Sequence, residues 1–159
     1  MGATDVAAAS LGELALGVAM RELGVRESPP GSNRTLFGRW FGEDGVPWCA
    51  IFASYCYAKG AGITLCSGWH GPGVTSRGVS FVPTLEAWLR ATDRWLDKDE
   101  PPWRGDLVIF DWDGGEPDHV GFVERRLGRG RFATVEGNTG GAVMRRERSV
   151  AQVAGFGRV

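Results

Sequence analysis

The chain has 159 residues, 43% of them hydrophobic, and a formal net charge of −1. This length supports one hydrophobic core, so we expect a single domain over residues 1–159 with its core at about 10–159. A run of about 18 apolar residues does not occur, which excludes a membrane-spanning helix. The first twenty residues lack a basic segment before their apolar part, so no signal peptide is recognised.

Three helices are predicted before the last third of the chain. Ser10 and Glu13 have the spacing of a capping box, and an apolar stripe follows them. The second helix is predicted over 48–59, with Gly60 as its C-terminal stop. The third lies in VPTLEAWLRATDRW, with Pro83 in its first turn.

The last third of the chain has the composition and alternation of β-strands. The predicted strands are DLVIFDW, HVGFVERRL, RFATVEGN, AVMRRERS and VAGFGRV. Helices followed by hairpins predict an α+β fold, with N-terminal helices packed on a C-terminal antiparallel β-sheet.

One hairpin register bears directly on function. Gly128-Arg129 suits a two-residue type II′ turn, which pairs strands 119–126 and 131–138. In that register His119 is opposite Asn138, and Gly121 is opposite Glu136. The register therefore predicts that His119 and Glu136 point to the same side of the sheet.

The segment VPWCAIFASYCY places Cys49 at the start of the second helix and Cys56 seven residues later. Packing is the role that we predict for Cys56, in the middle of the helix. Amide N–H groups in the first helical turn lack intrahelical partners, and the helix dipole is positive there. Both effects stabilise a thiolate at Cys49, although position alone leaves nucleophile and packed thiol open.

A thiolate nucleophile needs a base, and the chain has two histidines. His119 begins the strand HVGFVE, while Glu136 and Asn138 are two residues apart in TVEGN and so share one strand face. A buried carboxylate beside an imidazole fixes its tautomer and supports the imidazolium form. Cys66 and His70 alone are too few for a zinc site.

Charged residues outside these segments have simpler interpretations. Residues 121–159 carry eight arginines and three glutamates, and we interpret the arginines as the solvated face of an edge sheet, with a patch for an anionic polymer as the alternative. No nucleic-acid motif accompanies them. These arginines are Arg125, Arg126, Arg145, Arg146 and Arg148.

The loop DWDGGEPD resembles a calcium loop but lacks EF-hand spacing, so an Asp/Gly turn is favoured.

Three segments, VPWCAIFASY, RGDLVIFDWDG with DHVGFVE, and TVEGNTGG, resemble in order the characteristic blocks of the CHAP domain. This family comprises cysteine, histidine-dependent amidohydrolases/peptidases and belongs with the papain-like peptidoglycan hydrolases. The resemblance implies a papain-like fold with Cys49 as nucleophile and His119 as base. It further implies that Glu136 orients His119 and that Asn138 is an auxiliary polar residue.

The resemblance also implies the reaction and its setting. Cys49 would attack an amide of bacterial peptidoglycan, as in an endopeptidase or an N-acetylmuramoyl-L-alanine amidase, and its backbone N–H would be the first oxyanion donor. Asn33, Trp48 or another backbone group are open as the second donor. We expect a monomer without a cofactor, although some CHAP domains bind calcium.

Its partner would be cell-wall peptidoglycan rather than nucleic acid, and its place of action the cell wall. No signal is recognised, so the protein would reach the wall by another route. It would be a phage-encoded endolysin released by a holin, or it would leave the cell by non-classical export. Two alternatives remain: a non-catalytic wall-binding or phage structural component, and a cysteine acyltransferase on the same fold.

Overall fold

The computed structural model describes residues 8–159, in which a mainly helical part precedes a β-sheet. This order confirms the predicted α+β class. The helices are α1 Leu11–Arg21, α2 Leu36–Phe41, α3 Cys49–Ala61 and α4 Val82–Ala91, with a 3₁₀ helix at Val150–Gln152. The strands are β1 Val74–Thr75, β2 Gly78–Val79, β3 Trp95–Asp97, β4 Leu107–Phe110, β5 His119–Gly128, β6 Arg131–Thr139, β7 Ala142–Ser149 and β8 Val153–Gly157.

Helix α1 begins at the predicted capping box. The Ser10 hydroxyl accepts a hydrogen bond from the Glu13 amide at 3.1 Å, and the Glu13 carboxylate accepts one from the Ser10 amide at 3.3 Å. The two bonds satisfy amides that a helix start leaves without partners. The buried side of α1, which includes Leu16 and Ala19, packs mainly on α3.

Helix α3 extends two residues beyond its predicted end. Gly60, expected as the stop, lies inside the helix, and Gly62 ends it in a left-handed conformation with φ 65°. A Cβ at position 60 would overlap the Leu14 carbonyl group and lie 2.9 Å from a methyl carbon of Val18. Gly60 therefore permits the close approach of α1 and α3, and Gly62 supplies the left-handed stop.

The strands β3 to β8 form one sheet in the order β3-β8-β4-β5-β6-β7, and all neighbouring pairs are antiparallel. Alternate residues of β4 and β5 point to opposite faces. On one face, Ile109 and Phe122 belong to the main core with the helices. On the other, Phe110 and Val123 join a second apolar cluster with Phe156.

The β5–β6 hairpin pairs the predicted strands but turns one residue later than predicted. Gly128 pairs with Arg131, so Arg129 and Gly130 are the two central residues. Their φ angles are 54° and 70°, and positive φ at both central positions is typical of a type I′ turn. This turn matches the right-handed twist of the flanking strands, and the predicted type II′ turn is wrong.

Two β-bulges offset the displaced turn. The register shifts by one residue at Glu124 and again at Leu127, both on β5. Beyond the bulges Phe122 lies opposite Val135, which is the predicted register. The register is therefore the predicted one at Phe122 and Val135, next to Gly121 and Glu136.

The third predicted helix is α4, which starts at Val82 with a proline in its first turn. Helix α2 and strands β1 to β3 were not predicted. Helix α2 has only six residues, and the Thr35 hydroxyl caps it by accepting a bond from the Gly38 amide at 3.0 Å. Elements this short span too little of a repeat to produce a clear hydrophobic pattern.

The length of a helix limits whether it can cross a membrane. Helix α3 has 13 residues, whereas a bilayer span needs about 20 apolar ones. Within residues 8–159, every helix is too short or too polar to cross a bilayer.

Candidate active site

Cys49 is the first residue of α3. Trp48, the N-cap residue, makes no side-chain capping bond, so its side chain does not occupy the first amides of the helix. The Cys49 residue is 6% exposed and lies at the wall of a surface cleft. At a helix start, backbone amides without intrahelical partners and the positive end of the helix dipole face the side chain.

Trp48 anchors the start of this helix. Its ring is fully buried and stacks on Phe37, with centroids 5.6 Å apart. Its indole Nε1–H donates a hydrogen bond to a Glu27 carboxylate oxygen at 3.3 Å. Because this N–H is bound within the protein interior, the indole is excluded as the second oxyanion donor.

His119 and Glu136 meet across the β5–β6 ladder. Nε2 of His119 lies 2.8 Å from Oε1 of Glu136, and both side chains are buried. Gly121 supplies the space between them, since a Cβ there would lie 2.6 Å from Cγ of Glu136. The predicted facing of His119 and Glu136 is confirmed by this contact.

The imidazole of His119 also interacts with Cys49. Because Nε2 faces Glu136, Nδ1 is the nitrogen that remains for the thiol. Burial acts to lower the pKa of His119, but hydrogen bonds to Cys49 and Glu136 outweigh it and raise the pKa to about 9. The imidazolium form is therefore favoured at neutral pH, and a cation at this place stabilises a thiolate.

Glu136 is held by two further side chains. Arg148 donates two hydrogen bonds, Nε to Oε2 at 2.8 Å and Nη2 to Oε1 at 2.6 Å, and the Thr134 hydroxyl donates to Oε2. Burial acts to raise the pKa of Glu136, but the bonds from Arg148, His119 and Thr134 lower it to about 2. Glu136 is therefore a buried carboxylate whose partners come from its own strand and from the two adjacent strands.

Asn138 departs from regular strand geometry. It lies in the irregularity of β6 between Glu136 and Thr139, and its φ is 58°. Among residues 8–159, no hydrogen bond joins its side chain to His119 or Glu136. Strand alternation therefore does not determine where Asn138 points, and its auxiliary role stays a prediction.

Cys49 opens onto a cleft of about 680 Å³. The walls come from residues 43–49, from the loop 72–83 and from residues 116–118. Most of the lining is apolar, and Phe81 on the second wall is 42% exposed. A second cavity, of about 360 Å³, lies at the β5–β6 turn and is lined by different residues.

The acidic loop 111–118 uses its carboxylates on its own backbone. Asp111 accepts a bond from the Gly114 amide at 2.7 Å, and Asp113 accepts one from the Gly115 amide at 2.9 Å. The Asp113 bond, to the amide two residues further on, is an Asx-turn. Within residues 8–159, three or more His, Cys, Asp or Glu side chains do not gather anywhere closely enough to hold a metal ion.

The other cysteines have surroundings unlike those of Cys49. Cys56 and Cys66 are fully buried, and all three thiols are free. Burial raises the pKa of Cys66 to about 12 and holds that of Cys56 well above its usual range. Buried thiols of this kind are inert, in agreement with the packing role predicted for Cys56.

Arg148 and Thr134, the two further partners of Glu136, were both missed by the sequence analysis. The predicted solvated face is correct for Arg125, Arg126 and Arg145, which are exposed. It is wrong for Arg148, whose side chain is 17% exposed and is bonded to Glu136. The only signal was alternation along β7, which puts residues 144, 146 and 148 on one face, and that face is identified only once β7 is paired with β6.

Known proteins share the sequence pattern and the fold of this chain. The sequence matches the CHAP domain family over residues 41–138. The crystal structure of Ly7917 superposes with a TM-score of 0.53 at 19% identity, covering 93% of this chain and 62% of that chain. Ly7917 with the hydrolyzing product of MDP gives 0.54 at 19% identity, covering 91% and 61%.

NlpC1 from Trichomonas vaginalis gives a TM-score of 0.51 at 18% identity, covering 97% of this chain and 46% of that chain. The chain thus spans at most 62% of the length of these structures. Among curated proteins, none matches the sequence significantly. The shared fold confirms the predicted papain-like architecture, and the family match covers more than half of the residues. The chain belongs to the CHAP domain family.

Proposed function

We propose that this protein is a peptidoglycan hydrolase that cleaves an amide bond with Cys49 as its nucleophile. The observation that carries the proposal is the 2.8 Å contact between His119 and Glu136, with His119 coupled to Cys49 and Cys49 at the wall of an open cleft. A cysteine nucleophile requires a nearby base, and the base requires a group that orients it. These three side chains have the residue types and mutual positions for those roles.

The reaction would proceed in two steps. The Cys49 thiolate attacks the amide carbonyl carbon, and the backbone N–H of Cys49 donates a hydrogen bond to the developing oxyanion. Protonated His119 gives its proton to the leaving amine, and a thioester remains on Cys49. Neutral His119 then takes a proton from water, the hydroxide attacks the thioester, and the carboxylate product departs as the thiolate is restored.

Glu136 would serve this cycle through His119. Its carboxylate holds the ring by Nε2 at 2.8 Å, which leaves Nδ1 to exchange the proton with Cys49 and the substrate. The buried negative charge stabilises the imidazolium that exists before the first proton transfer. The low pKa of Glu136, about 2, keeps that charge present at neutral pH.

The substrate class rests on family membership and on fold. The CHAP domain groups cysteine-dependent amidohydrolases of peptidoglycan, and the Ly7917 structure of the same fold carries the hydrolyzing product of MDP. The protein would accordingly act on the bacterial cell wall. The apolar cleft beside Cys49 would receive the peptide portion of the substrate, because its walls offer mainly apolar side chains.

The test is digestion of purified cell walls, with mass spectrometry of the released fragments. Wild-type protein should release fragments, and their new termini identify the bond that is cut, whether sugar–alanine, stem or cross-bridge. Cys49→Ala should release none while remaining folded. Cys56→Ser is the matched control: it should lower the stability and leave the folded fraction active.

Other outcomes would overturn parts of the proposal. Turnover by Cys49→Ala at the wild-type rate would remove the nucleophile assignment. If an added primary amine captured the acyl group in preference to water, the protein would be an acyltransferase. Binding of wild-type protein to walls without any release would point to a non-catalytic wall-binding component.

A further inference from the structure

Arg148 makes more contacts within the protein than an arginine on the surface usually does. Its guanidinium makes two hydrogen bonds to Glu136, at 2.8 and 2.6 Å, and its side chain is 17% exposed. The guanidinium carbon also lies 5.2 Å from the ring centre of Phe110 and 4.9 Å from that of Trp112. Bidentate bonds and aromatic faces together fix the plane of the guanidinium.

The position of Arg148 constrains how Glu136 can meet His119. Oε1 of Glu136 receives both Arg148 Nη2 and His119 Nε2, while Oε2 receives Arg148 Nε and the Thr134 hydroxyl. Rotation of the carboxylate would break two arginine bonds at once. The Trp112 ring packs on Arg148 and also lies 6.0 Å from the imidazole ring of His119. Trp112 therefore lies against both charged partners of Glu136.

We propose that Arg148 is a positioning residue that keeps the Glu136 carboxylate ionised and aimed at His119, and thereby sustains the reactivity of Cys49. The inference rests on the proposed function, in which Glu136 orients the base. Arg148 is absent from the groove lining around Cys49 and acts through Glu136 rather than on the substrate.

The charges around Glu136 support this assignment. In the described part of the chain, the charged groups bonded to it are His119 from β5 and Arg148 from β7, while β4 contributes Phe110 against the arginine. A carboxylate that is 0% exposed is costly unless it is paired. His119 alone would leave Glu136 without a permanent cationic partner whenever the imidazole is neutral. Arg148 supplies a charge that does not titrate.

The experiment compares Arg148→Met, Arg148→Lys and the control Arg145→Met. Arg145 lies on the same strand, is 53% exposed and pairs with Glu124 at 2.9 Å. Two readouts need no cell-wall substrate: the ¹³C-NMR titration of the Glu136 carboxyl, and the pH profile of Cys49 alkylation by iodoacetamide. Wall hydrolysis is measured separately, so failure of the proposed function does not hide the result for Arg148.

In Arg148→Met the Glu136 titration should move upward by about 1–3 pH units, the usual effect of one adjacent arginine. The acid limb of the alkylation profile should move to higher pH in the same variant. Arg148→Lys should give a smaller shift, because lysine keeps the positive charge but loses the paired N–H donors of the guanidinium. This variant also tests the proposal if Arg148→Met does not fold. Arg145→Met should leave both readouts at their wild-type values.

A double variant separates positioning from direct contact. In a Glu136→Gln background, Arg148→Met should cause no further loss of alkylation rate or wall hydrolysis, because its route of action is already removed. A further loss in that background would overturn the positioning role. Wild-type titration and alkylation in Arg148→Met, or in Arg148→Lys where only that variant folds, would overturn the proposal as well.

Discussion

Replacing Gly121 with alanine should disable the site while leaving the protein folded. The added Cβ would lie 2.6 Å from Cγ of Glu136, whereas carbon atoms in contact normally lie about 3.5–4.0 Å apart. Glu136 must therefore move by about 1 Å or more. It is fully buried and bonded to His119, Arg148 and Thr134, so this movement breaks or stretches those bonds.

The size of both effects follows from this displacement. Overpacking by one methyl group costs about 1–3 kcal/mol, which corresponds to a fall in melting temperature of about 2–4 °C per kcal/mol for a chain of this size. A misplacement of about 1 Å in a catalytic group lowers turnover by about 100-fold. We therefore expect a modest loss of stability and a large loss of wall hydrolysis, with slower alkylation of Cys49.

The assay pairs thermal unfolding with hydrolysis and alkylation rates at one pH. Gly17→Ala is the matched control, because a Cβ at that helical position meets nothing closer than 3.7 Å. It should be stabilised by about 0.5–1 kcal/mol and remain fully active. Wild-type hydrolysis and alkylation in Gly121→Ala would refute the argument that the space at Gly121 is needed for the contact between His119 and Glu136.

The stability of the wild-type protein should fall at both ends of the pH scale. The pKa of Glu136 is lowered from 4.5 to about 2, so its contribution is complete above pH 4.5 and is lost as the pH falls through 2. The pKa of His119 is raised from 6.5 to about 9, so its contribution is complete below pH 6.5 and is lost as the pH rises through 9. The alkaline loss amounts to about 3 kcal/mol, and urea unfolding should detect it in the wild type and not in His119→Ala; equal losses would contradict the assignment. Gly60→Ala should lower the free energy of unfolding by about 1–3 kcal/mol, because its Cβ would overlap the Leu14 carbonyl group, and unchanged urea unfolding would contradict this packing argument.

Features that depend on neighbouring residues could be predicted from the sequence alone. The capping box joins Ser10 to Glu13, three residues further along the chain. The alternation of the five predicted C-terminal strands has a period of two residues. The position of Cys49 at a helix start follows from the same kind of local signal. These patterns determine secondary structure because each reports contacts within one turn or one strand.

The facing of His119 and Glu136 was predictable for a different reason. Strand alternation permits only two facings, and a hairpin register selects one of them. The turn was predicted one residue too early, yet the bulges at Glu124 and Leu127 restored the register at the other end. The local sequence contains no signal for those bulges. The correct facing therefore depended on two irregularities that are visible only once the strands are paired.

The tertiary structure alone decided the partners of Arg148 and Trp48. Arg145, Arg146 and Arg148 are chemically alike and close in sequence, but of these three Arg148 is the one bonded to the buried Glu136. Trp48 is likewise committed to Glu27, which is 21 residues away in the chain. The state of a polar side chain is set by the burial and charge of groups from distant segments, and a local sequence pattern contains no information about which segments those are.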